Sequence, residues 1–86
     1  MARDTQIAVL GGGSWGTSVA SLCCRRSEVT LWARNEDIVT EIQQQHTNQK
    51  YLPEKRLPKR LAATTSMADA VSKANIVVMG IPSQSF

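Results

Sequence analysis

The sequence predicts an α/β domain, a doubly wound parallel sheet of about four strands with helices between them. Three observations lead there. Short apolar runs, Ile7-Ala8-Val9-Leu10, Val29-Thr30-Leu31-Trp32-Ala33 and Ile76-Val77-Val78-Met79, read as strands of a sheet covered on both faces. Apolar residues at helical spacing fall between these runs. A glycine-rich turn joins the first run directly to the first helical pattern.

Each element has its own signal. Trp15, Val19, Leu22 and Cys23 fall at i, i+4, i+7 and i+8, which places them on one face of a first helix. Arg25 and Arg26 follow near its expected C-terminus, where positive charge meets the negative end of the dipole. Asn35 reads as the N-cap of a second helix, with Glu36 and Asp37 in its first turn and Ile38, Val39 and Ile42 as its apolar stripe. That helix dissolves into the polar stretch 43–48, and Pro53 and Pro58 predict an irregular connection. Leu61-Ala62-Ala63-Thr64 suits a short strand. Ser66 with Asp69 resembles a capping box for a third helix whose face is Met67, Ala70, Val71 and Ala74. The last strand, Ile76–Met79, is the most hydrophobic and is stopped by Gly80 and Pro82. Residues 1–86 are expected to be the N-terminal part of a domain, with Ile76–Met79 left as an apolar edge that invites aggregation.

Composition narrows the classes. Eighty-six residues make one small domain at most, and 42% apolar with 20% charged residues is a globular mixture. No apolar run approaches the roughly 18 residues of a membrane-spanning helix, and the apolar run near the start is too short for a signal peptide. Cys23 and Cys24 are adjacent, at neither metal-ligand nor redox-motif spacing, and read as reduced packing residues of a cytoplasmic protein. A net charge of +3 is too mild to require nucleic acid. Lys50, Lys55, Arg56, Lys59 and Arg60 do crowd one segment. A solvated loop explains them first, attraction of a phosphorylated small molecule second, and nucleic acid least, for want of an aromatic stacking platform.

The chemistry concentrates in Gly11-Gly12-Gly13-Ser14-Trp15-Gly16, which fits G-x-G-x-x-G between a strand and a helix. That context is what a dinucleotide-binding (Rossmann) turn requires. Gly11 permits the tight turn, Gly13 lets the backbone approach a pyrophosphate, and Gly16 lets helix and strand pack closely. Amides near Ser14 and Trp15 would face the phosphates from the positive helix end. Trp15 is open between core packing and cofactor contact. After the second strand an acidic residue would suit the ribose 2′-hydroxyl of NAD, whereas Arg34 suits the 2′-phosphate of NADP. Glu36 lies twenty residues past Gly16 but reads better as a first-turn helix charge, and the bland alternative for Arg34 is a solvated loop arginine. His46 reads as a surface histidine. No catalytic triad, metal-ligand set or catalytic acid or base can be named.

These segments resemble the NAD(P)-dependent glycerol-3-phosphate dehydrogenases. The resemblance runs in order through residues 7–17, Val29-Thr30-Leu31-Trp32-Ala33-Arg34, Asn48-Gln49-Lys50-Tyr51-Leu52-Pro53, Leu57-Pro58, and Ile76-Val77-Val78-Met79 into Ile81-Pro82-Ser83-Gln84. Tyr51-Leu52-Pro53 and Pro82-Ser83 separate this family from other dinucleotide binders. The resemblance implies cofactor contacts from Ser14, Trp15, Arg34 and Tyr51, and a helical substrate domain beyond this chain. It implies reversible reduction of dihydroxyacetone phosphate to sn-glycerol 3-phosphate for phospholipid synthesis, NADP or NAD as cofactor with NADPH favoured by Arg34, and no metal. No nucleic-acid partner and no membrane insertion are expected, and a homodimer is allowed. Residues 1–86 alone are expected to be inactive. Three positions depart from the family pattern: Gly12 stands for the usual alanine, the turn 25–28 lacks the common Asn-Gly and is one residue short, and Asn35 replaces a second basic residue found in many bacterial members. The competing reading is a non-catalytic nucleotide-sensing module, and the sequence following Phe86 would separate the two.

Overall fold

A computed structural model describes residues 5–11 and 13–79 of the chain. Four strands form the main sheet: β1 (Gln6–Leu10), β2 (Glu28–Trp32), β5 (Ala62–Thr64) and β6 (Ile76–Met79). All neighbours are parallel and the order is β5-β2-β1-β6. The chain therefore runs outward from β1 through β2 to β5, then returns to the other side of β1. Three helices, α1 (Ser14–Cys23), α2 (Glu36–Gln45) and α3 (Met67–Ser72), connect these strands.

Alternation along the strands places the helices on two faces. Val9, Val29, Leu31 and Ala63 join Ala20 of α1 and Ile38, Val39 and Ile42 of α2 in one core. Ala8 and Leu10 point the other way and meet Ala70 of α3, with Trp32, Val71 and Ala74 packed alongside. The sheet is thus covered on both faces, as its continuous apolar strands require. β6 stands at the edge, with Ile76, Val77 and Met79 each about half exposed. Gly80 and Pro82, expected to stop this strand, lie outside the described residues.

The caps follow local chemistry. The Asn35 side-chain oxygen accepts the Asp37 N–H at 2.8 Å, an N-cap of a kind that contributes about 1 kcal/mol. The Ser66 hydroxyl accepts the Asp69 N–H at 3.2 Å, but the expected capping box is only half made. The Ser66 N–H donates to the Thr64 hydroxyl at 3.0 Å instead of to a side chain at the third helical position.

Three expectations are corrected. The buried residues of α1 are Gly16, Thr17 and Ala20, continued by Cys24, whereas Trp15 and Leu22 are 58% and 63% exposed. The buried face is therefore turned by one residue, roughly 100°. Small side chains on that face let α1 lie close to the sheet, which large ones would prevent. Arg25 and Arg26 follow directly after the Cys24 C-cap, near the end of α1 as expected, and the Cys24 carbonyl accepts a hydrogen bond from Arg60 at 3.3 Å. The irregular connection is a small antiparallel pair, β3 (Thr47–Asn48) and β4 (Leu52–Arg56), with a shift of register between Thr47 and Asn48. Pro53 is accommodated because this two-stranded piece leaves edge positions free of ladder bonds. His46 is half-buried rather than at the surface. It ends α2 in the left-handed conformation (φ 60°), and its buried Nδ1 has no hydrogen-bond partner among the described residues.

Candidate functional site

The glycine turn leaves the carboxyl end of β1 and enters α1. Gly11 has φ 127°, a backbone state that L side chains rarely adopt, so this position needs glycine. Its N–H donates to the Trp32 carbonyl at 2.8 Å, drawing the end of β2 against the turn. Gly13 is the N-cap of α1, with extended backbone angles (φ −74°, ψ −176°). A Cβ built at Gly13 would meet no atom within 4 Å. Glycine there is required neither by its own backbone angles nor by packing against other described parts of the chain. The open space above Gly13 is what a closely approaching phosphate group would fill.

The helix end is electrostatically prepared. Its first helical bond runs from the Thr17 N–H to the Gly13 carbonyl at 2.9 Å, so the amides of Ser14, Trp15 and Gly16 have no partner within the helix. No acidic residue occupies the first turn of α1, and no side chain caps it. By contrast, α2 carries Glu36 and Asp37 in its first turn, and α3 carries Asp69. The positive end of α1 is left available to an anion.

Around this turn the structure places the other candidates. Arg34 is exposed just past the end of β2, the strand that Gly11 bonds. Asn35 has its side-chain oxygen committed to capping α2. Trp15 projects from the first turn of α1 and is not a core residue. Tyr51 lies in the turn between β3 and β4, 37% exposed, with the Lys50 ammonium 5.4 Å from its ring centroid. Gly16 is buried in α1. Gly11, Gly13, Ser14, Trp15 and Gly16 thus form one turn and helix start, with Arg34 at the adjoining strand end and Tyr51 on the neighbouring hairpin. Glu36 sits in the first turn of α2.

Sequence reasoning assigned no task to Thr17, Asn48 and Glu41. The Asn48 side-chain amide donates to the Thr17 hydroxyl at 3.0 Å in a fully buried contact, and Glu41 accepts bonds from Thr47 and Gln49. Nothing in Thr47-Asn48-Gln49, three consecutive polar residues in a stretch that reads as loop, signals this.

A cavity of about 420 Å³ lies elsewhere, between α3 and the sheet, lined by Thr30, Ala62, Thr64, Ala70 and Lys73 among others. It exists because α3 is only six residues long and its neighbours are small. It reaches Gln6 and Glu28, the amino ends of β1 and β2, whereas ligands of such sheets bind beyond the carboxyl ends. Glu28 and Asp69 in its lining would also repel phosphate. Among the described residues no cluster of His, Cys, Asp or Glu could hold a metal ion, and no helix is long and apolar enough to cross a membrane.

A parallel sheet whose order reverses beside β1, with a glycine turn and an uncapped helix start at that point, defines the nucleotide-binding half of a Rossmann domain. Residues 6–86 match the family described as "NAD-dependent glycerol-3-phosphate dehydrogenase N-terminus", and the chain belongs to that family. Among curated relatives, the glycerol-3-phosphate dehydrogenases [NAD(P)+] of Sphingopyxis alaskensis and Leuconostoc mesenteroides are 47% and 49% identical over 81 residues, 94% and 93% of this chain. The chain spans 24% of the length of each. The structure is similar to glycerol-3-phosphate dehydrogenase of Saccharomyces cerevisiae (TM-score 0.85, 30% identity, 93% of this chain and 27% of that one). It is also similar to the Coxiella burnetii enzyme (TM-score 0.80, 31% identity, 92% and 24%).

Proposed function

We propose that residues 1–86 are the first part of the dinucleotide-binding domain of an NAD(P)H-dependent enzyme that reduces dihydroxyacetone phosphate to sn-glycerol 3-phosphate. The observation that carries this reading is the Gly11–Gly16 turn, with its positive φ at Gly11, its open approach at Gly13 and its uncapped helix start. The names of the relatives favour a dehydrogenase over a nucleotide-sensing module.

These residues suit a dinucleotide. The amides of Ser14 and Trp15 would bond the pyrophosphate at the helix end, Gly13 would let it approach, and Trp15 and Tyr51 would offer aromatic surface to the rest of the molecule. Arg34 would pair with a 2′-phosphate, which favours NADPH. With Asn35 engaged as a cap, Arg34 would hold the 2′-phosphate alone, so NADH remains usable. When bound, the cofactor supplies the hydride that reduces the carbonyl carbon. This chain contributes binding and orientation, and we assign no catalytic residue within it. The groups that hold the substrate and protonate the developing alkoxide would belong to a helical domain beyond it. Cys23 and Cys24, adjacent and at neither metal-ligand nor redox-motif spacing, suit the reducing cytoplasm, where we place the protein.

Arg34→Asp tests cofactor choice. It removes a phosphate partner and adds repulsion, and a charge-assisted hydrogen bond contributes roughly 1.5–3 kcal/mol. Fluorescence titration should show NADPH affinity falling at least about tenfold and NADH affinity far less. Equal losses for the two cofactors would refute the role of Arg34.

A further inference from the structure

We propose that Asn48, assisted by Glu41, is a positioning residue that holds Tyr51 at the dinucleotide site through the buried Asn48–Thr17 hydrogen bond; this rests on the dinucleotide reading above. The β3–β4 pair stands outside the main sheet, and an isolated two-stranded piece has little stability of its own. Its location depends on what anchors it. Successive residues of β3 and the following turn are held from two sides. The Thr47 hydroxyl and the Gln49 N–H both donate to Glu41 Oε2 of α2, at 2.6 and 2.9 Å. Asn48, between them, points the opposite way, and its side-chain amide donates to Thr17 Oγ1 of α1 at 3.0 Å. Strand alternation makes this two-sided grip possible.

The far end of the Asn48 bond is the first turn of α1, because the Thr17 N–H donates to Gly13. Three residues after Asn48, Tyr51 closes its turn by donating its N–H to the Asn48 carbonyl at 3.3 Å. Glycine turn, Thr17, Asn48 and Tyr51 are therefore one bonded chain. Thr17 and Asn48 are both fully buried, and Leu52 and Leu57 already pack the hairpin onto the core. A buried polar pair adds little net stability over an apolar pair of similar shape, but it specifies one register. Here the register decides where the Tyr51 ring stands relative to the glycine turn.

A double-mutant cycle on NADPH affinity, followed by calorimetry, separates positioning from general stability. Thr17→Val removes the hydroxyl at nearly constant volume and should weaken binding five- to tenfold. Thr17→Ser keeps the hydroxyl and should restore affinity to within twofold of the unaltered chain. In a Tyr51→Ala background, Thr17→Val should weaken binding less than twofold further. Glu41 grips the same hairpin from its more exposed side, so Glu41→Ala should repeat the pattern, even where Thr17→Val does not fold. Losses of equal size with and without Tyr51 would overturn the proposal, as would folded variants with unchanged affinity. Absence of NADPH binding by the unaltered chain would overturn the dinucleotide reading itself, and this inference with it.

Discussion

Gly13→Val is expected to abolish binding of NADPH and NADH while leaving the fold standing. Both halves of this expectation follow from the geometry of one residue. Gly13 has extended backbone angles that valine adopts readily, and beyond its immediate chain neighbours and the helix's own backbone its Cβ direction is empty for 4 Å. The protein loses only the modest preference for glycine over valine at an N-cap, about 1 kcal/mol or less. For a domain of this size that lowers the Tm by no more than about 8 °C. The valine methyl groups, however, would occupy the approach path of the pyrophosphate. Gly11 provides the contrast, because its φ of 127° makes any side chain there strain the backbone by about 1–3 kcal/mol. Near-normal affinity in a folded Gly13→Val chain would remove the dinucleotide from this turn.

The largest loss of stability is expected from Leu31→Ala. Leu31 is fully buried in the middle of β2, in the core shared with Val9, Ala20 and Ile42. Truncating such a leucine costs about 2–5 kcal/mol, from lost transfer energy and the cavity left behind. Single domains of this length have roughly 4–13 kcal/mol in total, so the variant should be near the limit of folding. Leu22→Ala should change stability by less than about 0.5 kcal/mol, because Leu22 is 63% exposed. Urea denaturation of the pair decides which face of α1 is buried. A Leu22→Ala loss comparable to that of Leu31→Ala would restore the face expected from spacing alone.

That contrast marks how far the sequence could be read. The strands, the caps at Asn35 and Ser66, and the stripe Ile38, Val39 and Ile42 announce themselves through local rules, and the structure has them. The buried face of α1 escaped because it is built from Gly16, Thr17 and Ala20, whereas counting large apolar residues favours Trp15 and Leu22. What selects the small face is close approach of helix to sheet, a tertiary demand with little periodic signal. The β3–β4 hairpin escaped because Pro53 and a polar stretch argue locally for loop. Its bonds to Thr17 and Glu41 span 31 and 6 to 8 residues. Part of the basic segment likewise has a structural task, since Arg60 bonds the Cys24 carbonyl at the end of α1 and Lys50 stands over the Tyr51 ring. The glycine turn was legible because its signal is local, a G-x-G-x-x-G spacing set directly between a strand and a helix.

The central claim, that a dinucleotide binds at this turn, is tested most directly by titrating NADPH into the isotope-labelled chain and following each backbone amide by NMR. This detects even weak binding and reports its location. The largest shifts are expected at Gly11, Gly13, Ser14 and Trp15, with smaller ones at Arg34 and Tyr51. NADH should reproduce the shifts at the turn while sparing Arg34. An unchanged spectrum at millimolar NADPH, or shifts centred on Thr30, Ala62, Thr64 and Ala70 around the other cavity, would contradict the account.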